Sequence, residues 1–288
     1  MAAPVALTPG LRAELAACGF APSPESPLDV LFARGAVRSR AAAIRARSTV
    51  RPLPPGSLLR LNEHVLIASP ELAFVQEAER RSLGQAIMCG CELCGAYVLL
   101  GPDGRPLAKP GTRPPLTTAA RIRETVDGLG LCGTACASRA AGYVLDGAAS
   151  PMEARLALLL CLPTRLGGYG LPRPALNAPA ALSREAFAVY PHSPCRLDLY
   201  WPDARFDVEY DGGEFHAADA HAKDVARTAA LKLDGIEVLM LTKAQVFDAR
   251  VFASMARVIA EKLGMYLRIR TKGFEEKAHR LRRELGMG

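Results

Sequence analysis

The 288-residue chain has no apolar run long enough to form a membrane-spanning helix. Its longest runs, such as 156–162, fall far short of the roughly 20 residues a bilayer requires, so no membrane partner is expected. A charged, apolar and then small-residue pattern is also missing after Met1, and eight cysteines over this length are too few for a secreted disulfide scaffold. A reducing, cytoplasmic setting is the expectation. No internal repeat is evident, which argues against a solenoid. One stretch lacks charge of one sign: residues 34–51 hold Arg34, Arg38, Arg40, Arg45, Arg47 and Arg51 without a single acidic residue.

What is present suits an α/β protein with real cores. Half of the residues are apolar, and the length allows two modest domains. The net charge of +7 suits a polyanionic partner, and nucleic acid, DNA first, is the expected one. A short helix and a linker are expected in residues 1–26, and a helix from Ser26-Pro27 with Leu28, Leu31 and Phe32 as its stripe. An Arg-rich helix and two strand-like runs, 58–61 and 64–68, would then complete a small winged-helix-like unit. Arg38 and Arg45 would lie on phosphates there. The same residues also suit a solvated basic helix face, and both readings stay open. Pro70 begins a helix over 70–87. A Gly/Pro-rich loop covers 101–116, Thr117-Thr118 caps a helix through Leu129, and a further helix spans 134–145. Residues 1–145 thus read as a mostly helical accessory domain, 146–264 as a second domain and 265–288 as a basic helical tail.

Cys91-x2-Cys94 has the look of a zinc knuckle, with Cys132-x3-Cys136 downstream. Structural zinc usually takes two close, matched pairs, and the second pair is off-pattern. Zinc is therefore not expected; buried apolar thiols are.

The chemistry concentrates in residues 196–216, RLDLYWPDARFDVEYDGGEFH. Alternation on both sides of Pro202-Asp203-Ala204-Arg205 predicts a β-hairpin. With a four-residue loop, Trp201 pairs with Phe206, and counting outward sets Asp198 across from Glu209. Directly opposed residues have Cβ atoms about 4.5–5.5 Å apart, where like charges repel. A hard divalent cation would compensate, since Mg²⁺ is commonly held by one or two carboxylates. A solvated acidic edge is the plain alternative. Upstream, Ser150-Pro151-Met152-Glu153 is a capping box, a sufficient structural role for Glu153. Downstream, a helix over 217–233 carries Lys223, Asp224 and Arg227. Gly235 closes it, and 236–241 reads as a buried apolar strand.

The order helix with Glu153, hairpin with Asp198 and Glu209, helix, strand, helix resembles the PD-(D/E)XK nuclease core, a central mixed sheet flanked by helices. The string D-x10-E-x-D-G-x3-H, then D-x2-R, is similar to endonuclease domains of the very-short-patch-repair type, over roughly residues 146–263. The resemblance implies a metal-dependent endonuclease. Asp198, Glu209 and Asp211 would hold Mg²⁺, or Mn²⁺ in its place, and Glu153 would add a carboxylate. His216 would act as general base or positioner, and Arg227 and Lys223 would meet the substrate. One position departs from the parent motif: Asp211 stands where a lysine is expected, which leaves that role to His216, Lys223 or Lys232. Ser69-Pro70-Glu71-Leu72 more loosely resembles abortive-infection antitoxin regulators. The competing function is therefore a non-catalytic DNA-binding regulator or antitoxin-type protein with a degenerate nuclease fold.

Overall fold

A computed structural model describes residues 8–33, 42–49, 52–98, 113–129, 134–192, 194–212 and 218–287, with the side chains of 32, 33, 48, 49 and 218–222 excepted. The chain divides into two compact units, 1–72 and 73–288.

In the first unit, α1 (Pro9–Ala17) starts at Thr8, whose hydroxyl accepts the Leu11 N–H at 3.2 Å, with Pro9 at the first helical position. Two strands follow where helices were expected. β1 (Leu28–Ala33) and β2 (Ile44–Thr49) pair in parallel, from Leu28 opposite Ile44 to Ala33 opposite Thr49. The Leu28, Leu31, Phe32 spacing fits a helical stripe. Yet Ile44-Arg-Ala-Arg-Ser-Thr49 alternates, and its two arginines converge on Asp29 across the pair, Arg47 at 2.9 Å and Arg45 at 3.6 Å. Pairing between distant segments overrode local periodicity. β3 (Leu58–Arg60) and β4 (Leu66–Ala68) form the expected antiparallel pair. Among its described residues this unit holds α1 and four strands ahead of the helix that closes it, so the helices expected across residues 1–145 come mostly from beyond it. Of the expected Arg-rich helix, Arg45 and Arg47 lie on β2 instead, and Arg34, Arg38, Arg40 and Arg51 lie outside the described residues.

Most of the helices belong to the second unit. α2 (Pro70–Ala78) begins at the end of the first unit and leads into α3 (Leu83–Leu93), α4 (Ala119–Leu129), α5 (Ala135–Ala141) and α6 (Pro151–Cys161). Ser82 and Gln85 close a capping box on α3; on α6 Ser150 accepts the Glu153 N–H, and the Glu153 carboxylate takes the Ala149 N–H rather than that of Ser150. The border expected at 145/146 falls inside this unit. Phe74, Ile87, Ile122 and Val144 share one continuous core with Leu156, Leu159 and Leu160 of α6.

A mixed four-strand sheet lies beyond. β5 (Ala175–Ala180), β6 (Cys195–Trp201) and β7 (Phe206–Asp211) run antiparallel in that order, and β8 (Glu237–Thr242) joins β7 in parallel. α7 (Arg184–Val189) links β5 to β6, and α8 (Ala218–Leu233) links β7 to β8. β8 departs from expectation. It is an edge strand whose only buried residue is Leu241, with Met240 half exposed, because nothing pairs with its outer side among the described strands. α9 (Lys243–Phe247) and α10 (Ala249–Lys262) follow, the latter capped by Asp248, which accepts the Arg250 and Val251 N–H groups.

The last helix, α11 (Phe274–Glu284), is part of the core rather than a tail. Leu281 and Leu285 are buried, and Glu284 accepts the Gly84 N–H at 2.9 Å, capping α3 from 200 residues away. The helix is seated closely. A side chain at Gly167 would run into the Lys277 carbonyl, and the backbone there sits at φ +99°, a region glycine tolerates.

Candidate functional site

The site grows from three elements. On α6, the Ser150 hydroxyl accepts the Glu153 N–H at 3.2 Å while the Glu153 carboxylate accepts the Ala149 N–H at 2.8 Å. Glu153 is only 7% exposed. Burial pushes its pKa up, the bonds from Ala149 and Ser150 pull it back, and Glu209 raises it again.

The hairpin has the counted register: Trp201 faces Phe206, Tyr200 faces Asp207 and Leu199 faces Val208. One step further out are Asp198 and Glu209. Side chains take over part of the ladder there. Asp207 accepts the Leu199 N–H at 3.2 Å and Asp198 accepts the Tyr210 N–H at 3.1 Å. On the other flank of β6, Leu176 faces Leu199 and Ala178 faces Leu197, which puts Asn177 across from Asp198. Asn177 sits at φ +47°, a conformation asparagine tolerates better than most residues, so the backbone is bent beside the carboxylate.

The third element is α8. Arg227 pairs with Glu209 at 2.5 Å, and its guanidinium also meets the Arg196 carbonyl and the Cys195 sulfur. The pair is largely buried, at 20% and 12% exposure for the two side chains. Burial works against the charge on Arg227, but Glu209 more than offsets it and raises the pKa.

These residues make an acidic cluster with one strong counter-charge, and that charge is committed to Glu209. Asp198 is pushed up to about 8, by burial first, then by Glu209 and Glu153. Asp207 is pushed up to about 9, by burial first and then by the Glu209 carboxyl beside it. Asp207 is fully buried, and its second oxygen has no hydrogen-bond partner. It was absent from the expected site, although alternation had already put it on the Glu209 face; only its burial sets it apart.

Of the remaining expected residues, Asp211 is half-buried at the end of β7, opposite Thr242. Lys223 and Asp224 are exposed on α8. Arg45 lies in the first unit on β2, beside Asp29. His216 and Arg38 lie outside the described residues, as does Cys132. The other cysteines of the knuckle-like pattern have local protein surroundings. Cys91 is buried, accepts the Leu145 N–H at 3.4 Å, and is pushed up to about 12 by burial; Cys94 is buried too, and Cys136 contacts the Arg81 carbonyl.

Among the described residues, no three His, Cys, Asp or Glu side chains stand in the arrangement of a metal site. Among the described residues any fit is therefore a two-carboxylate one. Asp198 and Glu209 offer hard oxygen donors in a cluster short of positive charge, the donor type and number Mg²⁺ accepts when water and phosphate complete its shell. No protein-family model, curated protein or solved structure matches the chain.

Proposed function

We propose that the second unit is a divalent-metal-dependent nuclease that hydrolyses phosphodiester bonds in nucleic acid, DNA first. The observation that carries this reading is the position of Asp198 one step beyond the last paired residues, level with Glu209, in a largely buried cluster where the cation paired among the described residues, Arg227, is already engaged. The helix, hairpin, helix, strand, helix order around it supports the resemblance to PD-(D/E)XK nucleases, with β5 and α7 standing between the first helix and the hairpin.

In this reading Asp198 and Glu209 hold the ion, and Arg227 fixes the orientation of Glu209 through their ion pair. The bound ion supplies an acidified water and charge stabilisation at the phosphate. Asp211 accepts a proton or a hydrogen bond beside the pair, His216 is the candidate base, and Glu153 sets the local field while capping α6. Lys223, exposed on the same helix as Arg227, is positioned on the side chain's own reach to meet substrate phosphate.

The test is cleavage of labelled single-stranded and duplex DNA and RNA with Mg²⁺ or Mn²⁺. Asp198→Ala is expected to abolish cleavage without weakening binding, since it removes a negative charge near the phosphate. A second reading is favoured by the Arg227–Glu209 pair and by Asp211 at the lysine position: a silent binding module whose acidic cluster is structural. It is the conclusion if neither metal supports cleavage of any substrate and calorimetry detects no Mg²⁺ or Mn²⁺ binding that Asp198→Ala removes.

A further inference from the structure

The segment between α10 and α11 carries no part of the acidic site, yet its side chains are sorted in a particular way. Leu267 and Ile269 pack against the core of the second unit, while Tyr266, Arg268 and Arg270 are exposed. Alternation of this kind is the mark of extended backbone laid on a surface, and it sends every second side chain outward at intervals of about 6.6 Å. The strip is fastened at its far end, where the Thr271 and Thr164 hydroxyls share a hydrogen bond at 2.5 Å. Lys272 is exposed immediately beyond.

One property of this strip is unusual for a merely solvated surface, and a second fits it to a polyanion. Tyr266 is 91% exposed, far more than any other large hydrophobic or aromatic side chain among the described residues. A ring so placed has no partner surface in its own fold to cover either face. The cations beside it are equally uncommitted. Among the described residues no carboxylate pairs with Arg268, Arg270 or Lys272, so their charges are open to a polyanion.

We infer that Tyr266, Arg268 and Arg270 form a track for single-stranded nucleic acid, with the tyrosine ring stacking an unpaired base and the two guanidinium groups following the phosphates. Aromatic stacking combined with a line of cations is how strands are held without sequence preference. A duplex has its bases already stacked on one another and offers the ring nothing, so the exposed aromatic is what selects the single strand. The track deepens the nuclease reading by naming the form of nucleic acid presented to that unit. It rests on that reading only for the choice of nucleic acid among polyanions.

Binding measured in chelator separates the two. Fluorescence anisotropy of a short labelled oligo-dT, with EDTA present, reads the track without cleavage. Tyr266→Ala is expected to weaken oligo-dT binding about tenfold, with Tyr266→Phe at the wild-type level, because the ring and not the hydroxyl does the stacking. The same Tyr266→Ala change should leave duplex DNA and heparin binding unaltered. Arg268→Ala combined with Arg270→Ala should lower the slope of log K against log salt by about 1.4, from about 0.7 per phosphate contact on a single strand. Arg250→Ala, an exposed arginine on α10, serves as the control and should change neither. All the substituted side chains are exposed, so thermal melting should be unchanged, and Tyr266→Phe keeps the comparison intact if Tyr266→Ala melts early. The inference is overturned if Tyr266→Ala binds oligo-dT as the wild type does, or if the losses are equal on heparin and oligo-dT. Binding to anionic phosphatidylglycerol vesicles in place of oligo-dT also overturns it. Asp198→Ala should bind oligo-dT normally whether or not the wild type cleaves, so failure of the nuclease reading leaves this result standing.

Discussion

Asp207 is fully buried with one oxygen unpartnered, which ties the stability of the fold to pH. Its pKa in the folded state, about 9, lies above the value of about 3.9 for an exposed aspartate. The folded state therefore binds the proton more tightly than the unfolded chain. This contribution to stability is complete below about pH 4 and is lost as pH rises through about 9. Asp207→Asn removes the titration while keeping the shape. Melting temperatures of this variant should vary less between about pH 5 and pH 9 than those of the wild type, and should exceed them at the upper end. Identical pH profiles would show that Asp207 does not titrate in that window. Arg227 behaves in the opposite sense, since truncating it strands the Glu209 charge. Arg227→Met should cost about 3 kcal/mol in chemical denaturation, most of it recovered when Glu209→Gln is added. Full additivity of the two changes would mean that the ion pair contributes nothing.

At the scale of the element, α6 and the hairpin show how local rules place chemical groups. Ser150, Pro151 and Glu153 announce the start of α6 by type and spacing, and the helix begins there. Because Glu153 has a capping bond as well as a place beside Asp198 and Glu209, its two roles can be separated. Ser150→Ala should lower stability by about 1 kcal/mol and leave cleavage per folded molecule unchanged. Glu153→Gln keeps an oxygen for the Ala149 N–H and should cost little stability; a large fall in cleavage would then assign the charge to chemistry, and an unchanged rate would leave Glu153 as a cap. β1 and β2 show where local rules stop. Leu28, Leu31 and Phe32 satisfy a helical stripe as well as a strand, and only the parallel partner 16 positions further along the chain distinguishes them.

At the scale of the molecule, the second unit is bound by a main core running from Phe74 to Met287, with a smaller cluster of Cys195, Leu197, Leu231 and Ile236 beside it. Substitutions at its two ends should therefore perturb the same event. Phe74→Ala on α2 and Leu281→Ala on α11 should each lower a shared unfolding transition, by about 3–5 and 2–5 kcal/mol. Two transitions moving separately in calorimetry would divide this core. The positive charge of the chain acts at the same scale, since an affinity for nucleic acid that rests on it should fall steadily with added salt.

The sequence by itself determined what depends on neighbours along the chain. The cap of α6 and the close of α8 at Gly235 follow from residue type and spacing, whereas the single helix expected over 70–87 is two, α2 and α3. The 202–205 turn and the register that sets Asp198 across from Glu209 follow from counting, because the side-chain period of a strand is two and the turn fixes its phase. Tertiary structure decided whatever depends on residues far apart in the chain. It made strands of β1 and β2, left β8 at an edge, and drew α11 into the core through Glu284 and Gly84. Within the site it buried Asp207 and bound Arg227 to Glu209, when the sequence offered Asp224 or a phosphate as partners. Burial and ion pairing are set by which surfaces meet, and no window of sequence contains both surfaces.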